Sequence, residues 1–255
     1  MTGDVLLEAE GLVKHYGSVE ALRGASFQAR AGEVTALIGD NGAGKSTLVK
    51  CLSGAERPDA GRIRLEGTEV ELDSPTTARR LGIETVYQDL AVAPDLDPAA
   101  NLYLGREIVR RGVLGRLGML DKAEMRRRAV EEFRRLGVTL QSTDVPIGAL
   151  SGGQRQSVAV ARSVVWASRV VFMDEPTAAL GVVQRERVLD VVRRVRDEGI
   201  AVVLISHNMP EVLSVADRVE VLRLGSRVAR FTAAGTRLED LVAAMTGALT
   251  QEEPT

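Results

Sequence analysis

The chain has 255 residues, 45% of them hydrophobic, and its 33 Lys and Arg nearly balance 35 Asp and Glu for a formal net charge of −2. That length suits one α/β domain with a subdomain and a substantial core, and the charge balance argues against both a strongly basic nucleic-acid surface and an acidic solvating tail. The only cysteine, Cys51, excludes a disulfide framework and reads as a small buried apolar residue in a reducing compartment.

Neither a secretory segment nor a membrane span is expected. Met1 to Glu10 carries Asp4, Glu8 and Glu10; the most apolar stretch, Val158 to Met173, is broken by Arg162 and Arg169; and Ile200 to Ile205 is too short to cross a bilayer. Any work at a membrane is expected to need a partner that holds the chain there.

In chain order, Val5 to Leu12 and Ala25 to Arg30 read as short strands, and Gly61 to Glu66 alternates with period two, which together predict a small antiparallel sheet beside a main one. Between the first two lies Lys14-His15-Tyr16-Gly17-Ser18, a turn-like segment whose Tyr16 has the flat face a nucleobase stacks on, although an exposed turn tyrosine ordinarily has no ligand. Val34 to Ile38 is a short apolar strand, and it feeds Gly39-Asp40-Asn41-Gly42-Ala43-Gly44-Lys45-Ser46-Thr47, which matches the phosphate-cradling pattern G-x-x-x-x-G-K-[ST] at every fixed position. Leu48 to Leu52 continues at helical spacing. Strand, glycine loop and helix is the order that chemistry requires: Gly39, Gly42 and Gly44 let the backbone turn its N–H groups inward, and the helix adds its positive end. Lys45 is placed for the β- and γ-phosphates and the Ser46 hydroxyl for Mg²⁺.

Pro75 to Leu81 predicts a short helix and Ile83 to Tyr87 a strand ending at Gln88, where α/β sheets bind ligands. From Asp89 to about Val160 strand signals give way to helical ones at Asn101 to Gly105, Lys122 to Leu136 and Gly153 to Val165. The charge-rich second helix, with Met125, Ala129, Phe133 and Leu136 on one face, reads as solvated rather than nucleic-acid-binding because acids interleave with its bases. Leu150-Ser151-Gly152-Gly153-Gln154 opens the third as a second glycine-serine turn, with Ser151 a good N-cap at a helix start able to receive an anion.

Arg169 to Glu175 is an apolar strand ending in adjacent carboxylates, stopped at once by Pro176. Asp174 is placed to hold Mg²⁺ and Glu175 to orient or deprotonate an attacking water. A helix from about Val182 to Glu198 and a buried strand, Ile200 to Ser206, lead to His207 at the same edge, whereas His15 reads as structural. Met209 to Leu213, Val219 to Leu224 and a helix from Thr236 to about Met245 read as closure of the sheet, and Gln251 to Thr255 as a frayed end.

In this order, the pieces resemble the nucleotide-binding subunit of an ABC transporter over nearly the whole chain. The resemblance implies an α/β P-loop NTPase with a RecA-like mixed sheet, a small antiparallel β subdomain and an inserted α-helical subdomain. Residues 1–88 and 161–250 would form the ATP-binding core, and residues 89–160 the helical subdomain ending in the LSGGQ segment. Tyr16 resembles the aromatic that stacks on adenine, Gly39 to Thr47 the Walker A loop, and Gln88 the glutamine that touches Mg²⁺ and senses the permease. Asp174 and Glu175 resemble the end of the Walker B strand, His207 the histidine that contacts the γ-phosphate, and Leu150 to Gln154 the family hallmark without change. Catalysis is thereby assigned to Glu175, His207 and Lys45, and the metal to Ser46, Gln88 and Asp174. One departure stands out. Where many members read Ser-Ala-Leu-Asp, this chain reads Ala178-Ala179-Leu180-Gly181, which puts in doubt the coupling between subunits that the aspartate supports.

In this family Ser151, Gly152, Gly153 and Gln154 of one copy cover the ATP held by the other, so a homodimer around two MgATP is implied. The stretch from Asp89 to about Val145 resembles the part that grips a multi-span permease at the cytoplasmic face of the cell membrane, with a substrate-binding protein as an indirect partner and no nucleic acid. Val86 to Leu90, Asn101 to Glu107 and Pro176 to Gly181 look most like importers of simple sugars, many of which carry two cassettes in one chain where this chain carries one. A soluble ABC ATPase of the iron–sulfur assembly kind, or a subunit for another substrate such as amino acids, shares the catalytic motifs.

Overall fold

The computed structural model describes residues 3–86, 92–140, 142–178 and 180–250; Tyr87 and Gln88, which close the strand expected from Ile83, lie outside the described residues. The chain begins with β1 (Val5–Tyr16) and β2 (Val19–Arg30), antiparallel strands of 12 residues each. Both exceed the sequence expectation, and Lys14, His15 and Tyr16 belong to the strand, which turns only at Gly17 and Ser18. The physical reason is a series of register shifts, at Ala9/Leu12 and Lys14/His15 among others, which carry the ladder through breaks in the alternation that reads as its end.

β3 (Val34–Ile38) and α1 (Lys45–Leu52) follow, then β4 (Ala60–Leu65), β5 (Thr68–Glu69), α2 (Pro75–Arg80) and β6 (Ile83–Val86). Ser74 caps α2 by accepting from Thr77 N–H, with Pro75 in the first turn, where its missing donor costs nothing. The next helices are α3 (Pro98–Leu102), α4 (Val113–Arg116), α5 (Lys122–Arg135) and α6 (Gly152–Val164). The remainder is β7 (Val170–Asp174), α7 (Val182–Asp197), β8 (Ala201–Ile205), α8 (Met209–Val215), β9 (Arg218–Arg223), β10 (Ser226–Thr232) and α9 (Leu238–Thr246).

The strands form two sheets, one in the order β2-β1-β4-β5 and one in the order β10-β9-β3-β8-β7-β6. In the larger sheet β6, β7, β8, β3 and β9 run parallel and β10 returns antiparallel. Every residue of β3 and β8 is buried, which is why both are continuous apolar runs rather than alternating ones. Leu48 and Cys51 of α1 join Leu37, Phe172, Val203 and Ile205 of the large sheet and Leu7, Leu22 and Phe27 of the small one in a single core. Truncating a ring as buried as Phe172 would cost about 3–5 kcal/mol. A second cluster packs Val212 of α8 and Leu241 and Ala244 of α9 against Ile38, Val219 and Val221.

The chain divides into two compact units, Met1–Gln88 with Ala167–Pro176 and Val192–Thr255, and Asp89–Trp166 with Thr177–Val191. Both sheets belong to the first. In the second, the fully buried Asn101 side chain accepts from Ala93 N–H at 2.8 Å and donates to the carbonyls of Ala93, Leu96 and Asp97, closing the loop before α3. Met125, Ala129 and Phe133 of α5 are buried, as their spacing predicts, while its charges pair with one another: hydrogen bonds from Arg127 and Arg128 hold the Glu124 carboxyl down at about 2. Arg126 and Arg135 are held in ion pairs as well.

Candidate functional site

The glycine loop is fixed by close approach as much as by backbone freedom. Gly39 (φ 152°) lies so near the Leu222 carbonyl that a Cβ would clash with it, and a Cβ on Gly44 (φ 101°) would stand 2.7 Å from the Ala21 carbonyl of β2. Gly42 (φ 81°) is needed for conformation alone, because nothing lies within 4 Å of its Cβ position. Ala43 is buried and locks the loop, donating to Asp40 O at 3.1 Å and accepting from Gly225 N–H at 2.9 Å. Asp40 and Asn41 are exposed. α1 starts without a side-chain cap and without an acid in its first turn, so its leading N–H groups remain available to an anion. Ser46 is exposed and Thr47 half-buried there. The Lys45 ammonium reaches back across the loop to the carbonyls of Gly39 at 2.7 Å and Asp40 at 3.0 Å. Burial pushes its pKa down, against the pull of Glu175, Asp174 and Asp40.

The other groups arrive on neighbouring strands. β8 lies between β3 and β7, and Ile205 is level with both Leu37 and Asp174, so the carboxyl ends of these parallel strands come to one edge. Asp174 is half-buried. Its carboxyl is raised by burial and then by the neighbouring Glu175, with Lys45 opposing. Glu175 leaves the strand in a left-handed conformation (φ 50°), a strained choice for a residue with a side chain, and its N–H donates to Ile205 O at 2.9 Å. Its Oε1 then accepts from both His207 N–H at 3.1 Å and His207 Nδ1 at 2.7 Å. Glu175 is 17% exposed and His207 78%, so the carboxylate is sheltered and the imidazole open. A carboxylate only accepts, so this contact puts a proton on Nδ1.

Tyr16 ends β1, 42% exposed, with Lys14 Nζ 5.7 Å from its ring centre. Asp59, which sequence reasoning passed over, organises this corner. It accepts from His15 N–H at 2.6 Å and Nδ1 at 3.2 Å and from Lys14 Nζ at 3.3 Å, and the hydrogen bond from the His15 backbone, ahead of the others, holds its carboxyl below the ordinary range. His15 is thus engaged structurally, paired with Asp59 and Glu20.

In the second unit, Leu150 is buried and Ser151 caps α6 in a capping box: Ser151 Oγ accepts from Gln154 N–H and Gln154 Oε1 accepts from Ser151 N–H, each at 3.3 Å. The two glycines differ. A Cβ on Gly153 would stand 2.8 Å from Gln184 Cγ, whereas nothing lies within 4 Å of one on Gly152. Gln184 also borders the departing position, its Oε1 lying 2.7 Å from where a Cβ on Gly181 would stand, a contact the end of that side chain can swing away from. Gln88 falls outside the described residues, among which no group of three or more His, Cys, Asp or Glu could hold a metal ion. Nothing in the local sequence signals the Glu175–His207 contact, the Asp59 clamp or the position of Gln184.

Compared with known proteins, residues 22–178 match the ABC transporter family. The chain is 50% identical over 250 residues to the fructose import ATP-binding protein FrcA of Rhizobium meliloti, covering 97% of this chain and 96% of that one. It is 42% identical to the xylose/arabinose import ATP-binding protein XylG of Sulfolobus acidocaldarius, covering 94% of each. It is also 43% identical to the ribose import ATP-binding protein RbsA 1 of Rubrobacter xylanophilus, of which it spans 48%. Among solved structures, a nucleotide-free ATP-binding cassette of an ABC transporter superposes with a TM-score of 0.78 at 26% identity, covering 95% of this chain and 96% of that one. The ADP conformation of the cassette MJ1267 gives the same score and identity, covering 95% of each.

Proposed function

We propose that this chain, which belongs to the ABC transporter family and is an ATP-binding ATPase of it, energises the import of a simple sugar. The observation that carries the chemical half is the common edge of β3, β8 and β7, which assembles an anion-ready glycine loop, a sheltered carboxylate pair and an imidazole from segments far apart in sequence. The substrate half is supported by relatives named for fructose, xylose/arabinose and ribose import.

Lys45 is the group to exchange its hydrogen bonds with the Gly39 and Asp40 carbonyls for phosphate oxygens, and the uncapped start of α1 adds backbone donors. Asp174 and Ser46 suit Mg²⁺, which takes one or two protein oxygens and completes its shell with phosphates and water; a half-buried carboxyl raised by burial and by Glu175 is stabilised as an anion by a cation. When bound, that ion neutralises charge on the β- and γ-phosphates. Glu175 positions and deprotonates the attacking water, and His207, open to solvent beside it, is assigned to the γ-phosphate; only a ring N–H can donate there, so a ring with its proton on Nδ1 must leave Glu175 to make that bond. Tyr16 offers its ring to adenine. A second copy supplies Ser151, Gly152, Gly153 and Gln154 over the phosphates, consistent with the open space at Gly152. The stretch from Asp89 to about Val145 is assigned to docking a multi-span permease, which with a substrate-binding protein would hold the ATPase at the cytoplasmic face of the membrane.

The test is the ATPase rate of the chain reconstituted with its permease and binding protein. A simple sugar is expected to raise the rate severalfold. An unchanged rate with sugars and a rise with amino acids would overturn the substrate reading while leaving the ATPase intact.

A further inference from the structure

Residues 108–120 read Ile-Val-Arg-Arg-Gly-Val-Leu-Gly-Arg-Leu-Gly-Met-Leu, a stretch built only of aliphatic residues, methionine, glycine and arginine. It is nevertheless a formed element rather than a loose loop. Val109 bridges to Leu120, Arg110 N–H donates to Met119 O at 2.8 Å, Asp121 N–H to Ile108 O at 2.7 Å and Met119 N–H to Leu114 O at 3.1 Å, with α4 at the tip. Gly112 and Gly118 make the turns at φ 75°, and Gly115 lies so close to the Arg110 carbonyl that a Cβ would clash with it.

What this hairpin shows to solvent is unusual. α4 buries none of its residues; Val113 is 71% and Leu117 73% exposed, and Val109, Leu114, Met119 and Leu120 are exposed beside them. Contiguous exposed apolar surface of this kind marks an interaction site. Arg110, Arg111 and Arg116 have no ion pair among the described residues, whereas Arg126, Arg127, Arg128 and Arg135 on nearby α5 all do. The segment holds no carboxylate, hydroxyl, amide, imidazole or aromatic ring. Protein interfaces share the arginine and methionine of this segment but add aromatic rings and polar side chains that hydrogen-bond directionally, and it has neither of those beyond its arginines. An apolar tip ringed by guanidiniums with flexible apolar stems instead matches a partner that is hydrocarbon beneath and anionic above.

We propose that the 108–120 hairpin rests on an anionic phospholipid surface, with Val113, Leu117 and Met119 at the acyl boundary and Arg110, Arg111 and Arg116 on the headgroup phosphates. Guanidinium suits that role, since its fork engages two phosphate oxygens at once. The contact is the chain's own and does not depend on the identity of the transported substrate or on the nucleotide chemistry.

The test is flotation of the full chain with phosphatidylcholine vesicles, with and without phosphatidylglycerol. Wild type is expected to float only with phosphatidylglycerol and to be released by salt, which screens exposed charges. The triple variant R110A/R111A/R116A should bind roughly a hundredfold more weakly, at about fivefold per arginine near an anionic surface. V113S/L117S should also lose binding. Both variants are expected to keep the wild-type melting temperature and basal ATPase rate, because the altered side chains are exposed and lie outside the nucleotide site. A Leu117→Trp variant gives a second readout, its emission shifting to the blue with anionic vesicles beyond any change from Trp166 in wild type. Wild type that stays unfloated with phosphatidylglycerol, or variants that float as wild type does, would overturn the proposal. So would wild type that ignores vesicles while the variants lose co-purification with the permease, which would make the hairpin a protein dock.

Discussion

Glu175→Gln separates binding from chemistry. In the wild type Glu175 Oε1 accepts from His207 N–H at 3.1 Å and Nδ1 at 2.7 Å, and the amide oxygen of glutamine accepts from the same donors. The left-handed backbone at this position and the hydrogen bond of its N–H to Ile205 O are untouched. What is lost is the negative charge and the capacity to take a proton from water. A positioned general base contributes about 10²–10⁴-fold, or roughly 3–5 kcal/mol of barrier. Turnover is therefore expected to fall at least a hundredfold. ATP affinity should be kept or improved, since Glu175 is the largest of the charges attracting the Lys45 ammonium and its removal leaves that ammonium freer for phosphate. Phosphate release at saturating MgATP measures the first, equilibrium titration of ATP the second, and light scattering should find a closed dimer accumulating. Turnover within tenfold of wild type, or ATP affinity lost in proportion to turnover, would refute the assignment.

Lys45→Ala should leave the loop folded, because its hydrogen bonds are to carbonyls that water can satisfy, and weaken ATP binding roughly 10–100-fold, the worth of charge-assisted hydrogen bonds; an unchanged dissociation constant counts against the cradle. Asp174→Asn should raise the melting temperature of the nucleotide-free protein at pH 7. A carboxyl raised above its ordinary 3.8 contributes stability below that value and loses it as pH rises through the raised one, so the gain over wild type should vanish near pH 3.5, and equal melting curves at both pH values would deny the burial cost. Gly181→Asp, which restores the commoner family residue, should fold with the wild-type melting temperature, because the only atom within 3 Å of its Cβ among the described residues is Gln184 Oε1, the end of a side chain free to swing aside; a melting temperature several degrees lower, recovered by Gln184→Ala, would show that Gln184 is held in place.

The site's parts were legible where chemistry is local. The glycine loop, the LSGGQ turn and the carboxylate pair each occupy a few consecutive residues, and β3, β7 and β8 are continuous apolar runs because the sheet is covered on both faces. Legibility failed where partners are remote. The contact from Glu175 to His207 crosses 32 positions and that from His15 to Asp59 crosses 44, so neither leaves a local trace. β1 and β2 read short because register shifts break their alternation. β10 leaves little trace in the sequence because Arg227 and Arg230 interrupt its apolar residues, although both turn to the buried Glu220 of β9. The 108–120 hairpin was lost in a stretch read as helical, since its short α4 lacks the length that makes a helical period visible.

Gly152 sets folding and function against each other. With no neighbour among the described residues within 4 Å of its missing Cβ and no left-handed torsion, nothing described inside the chain requires glycine there, and helix propensity would favour alanine. A selection that scores folding or yield alone would therefore drift away from glycine at this position, and one that scores transport would restore it. Under the proposed dimer, the residue would answer to a second copy of the chain, and the fitness of one molecule would be written into the empty space of another.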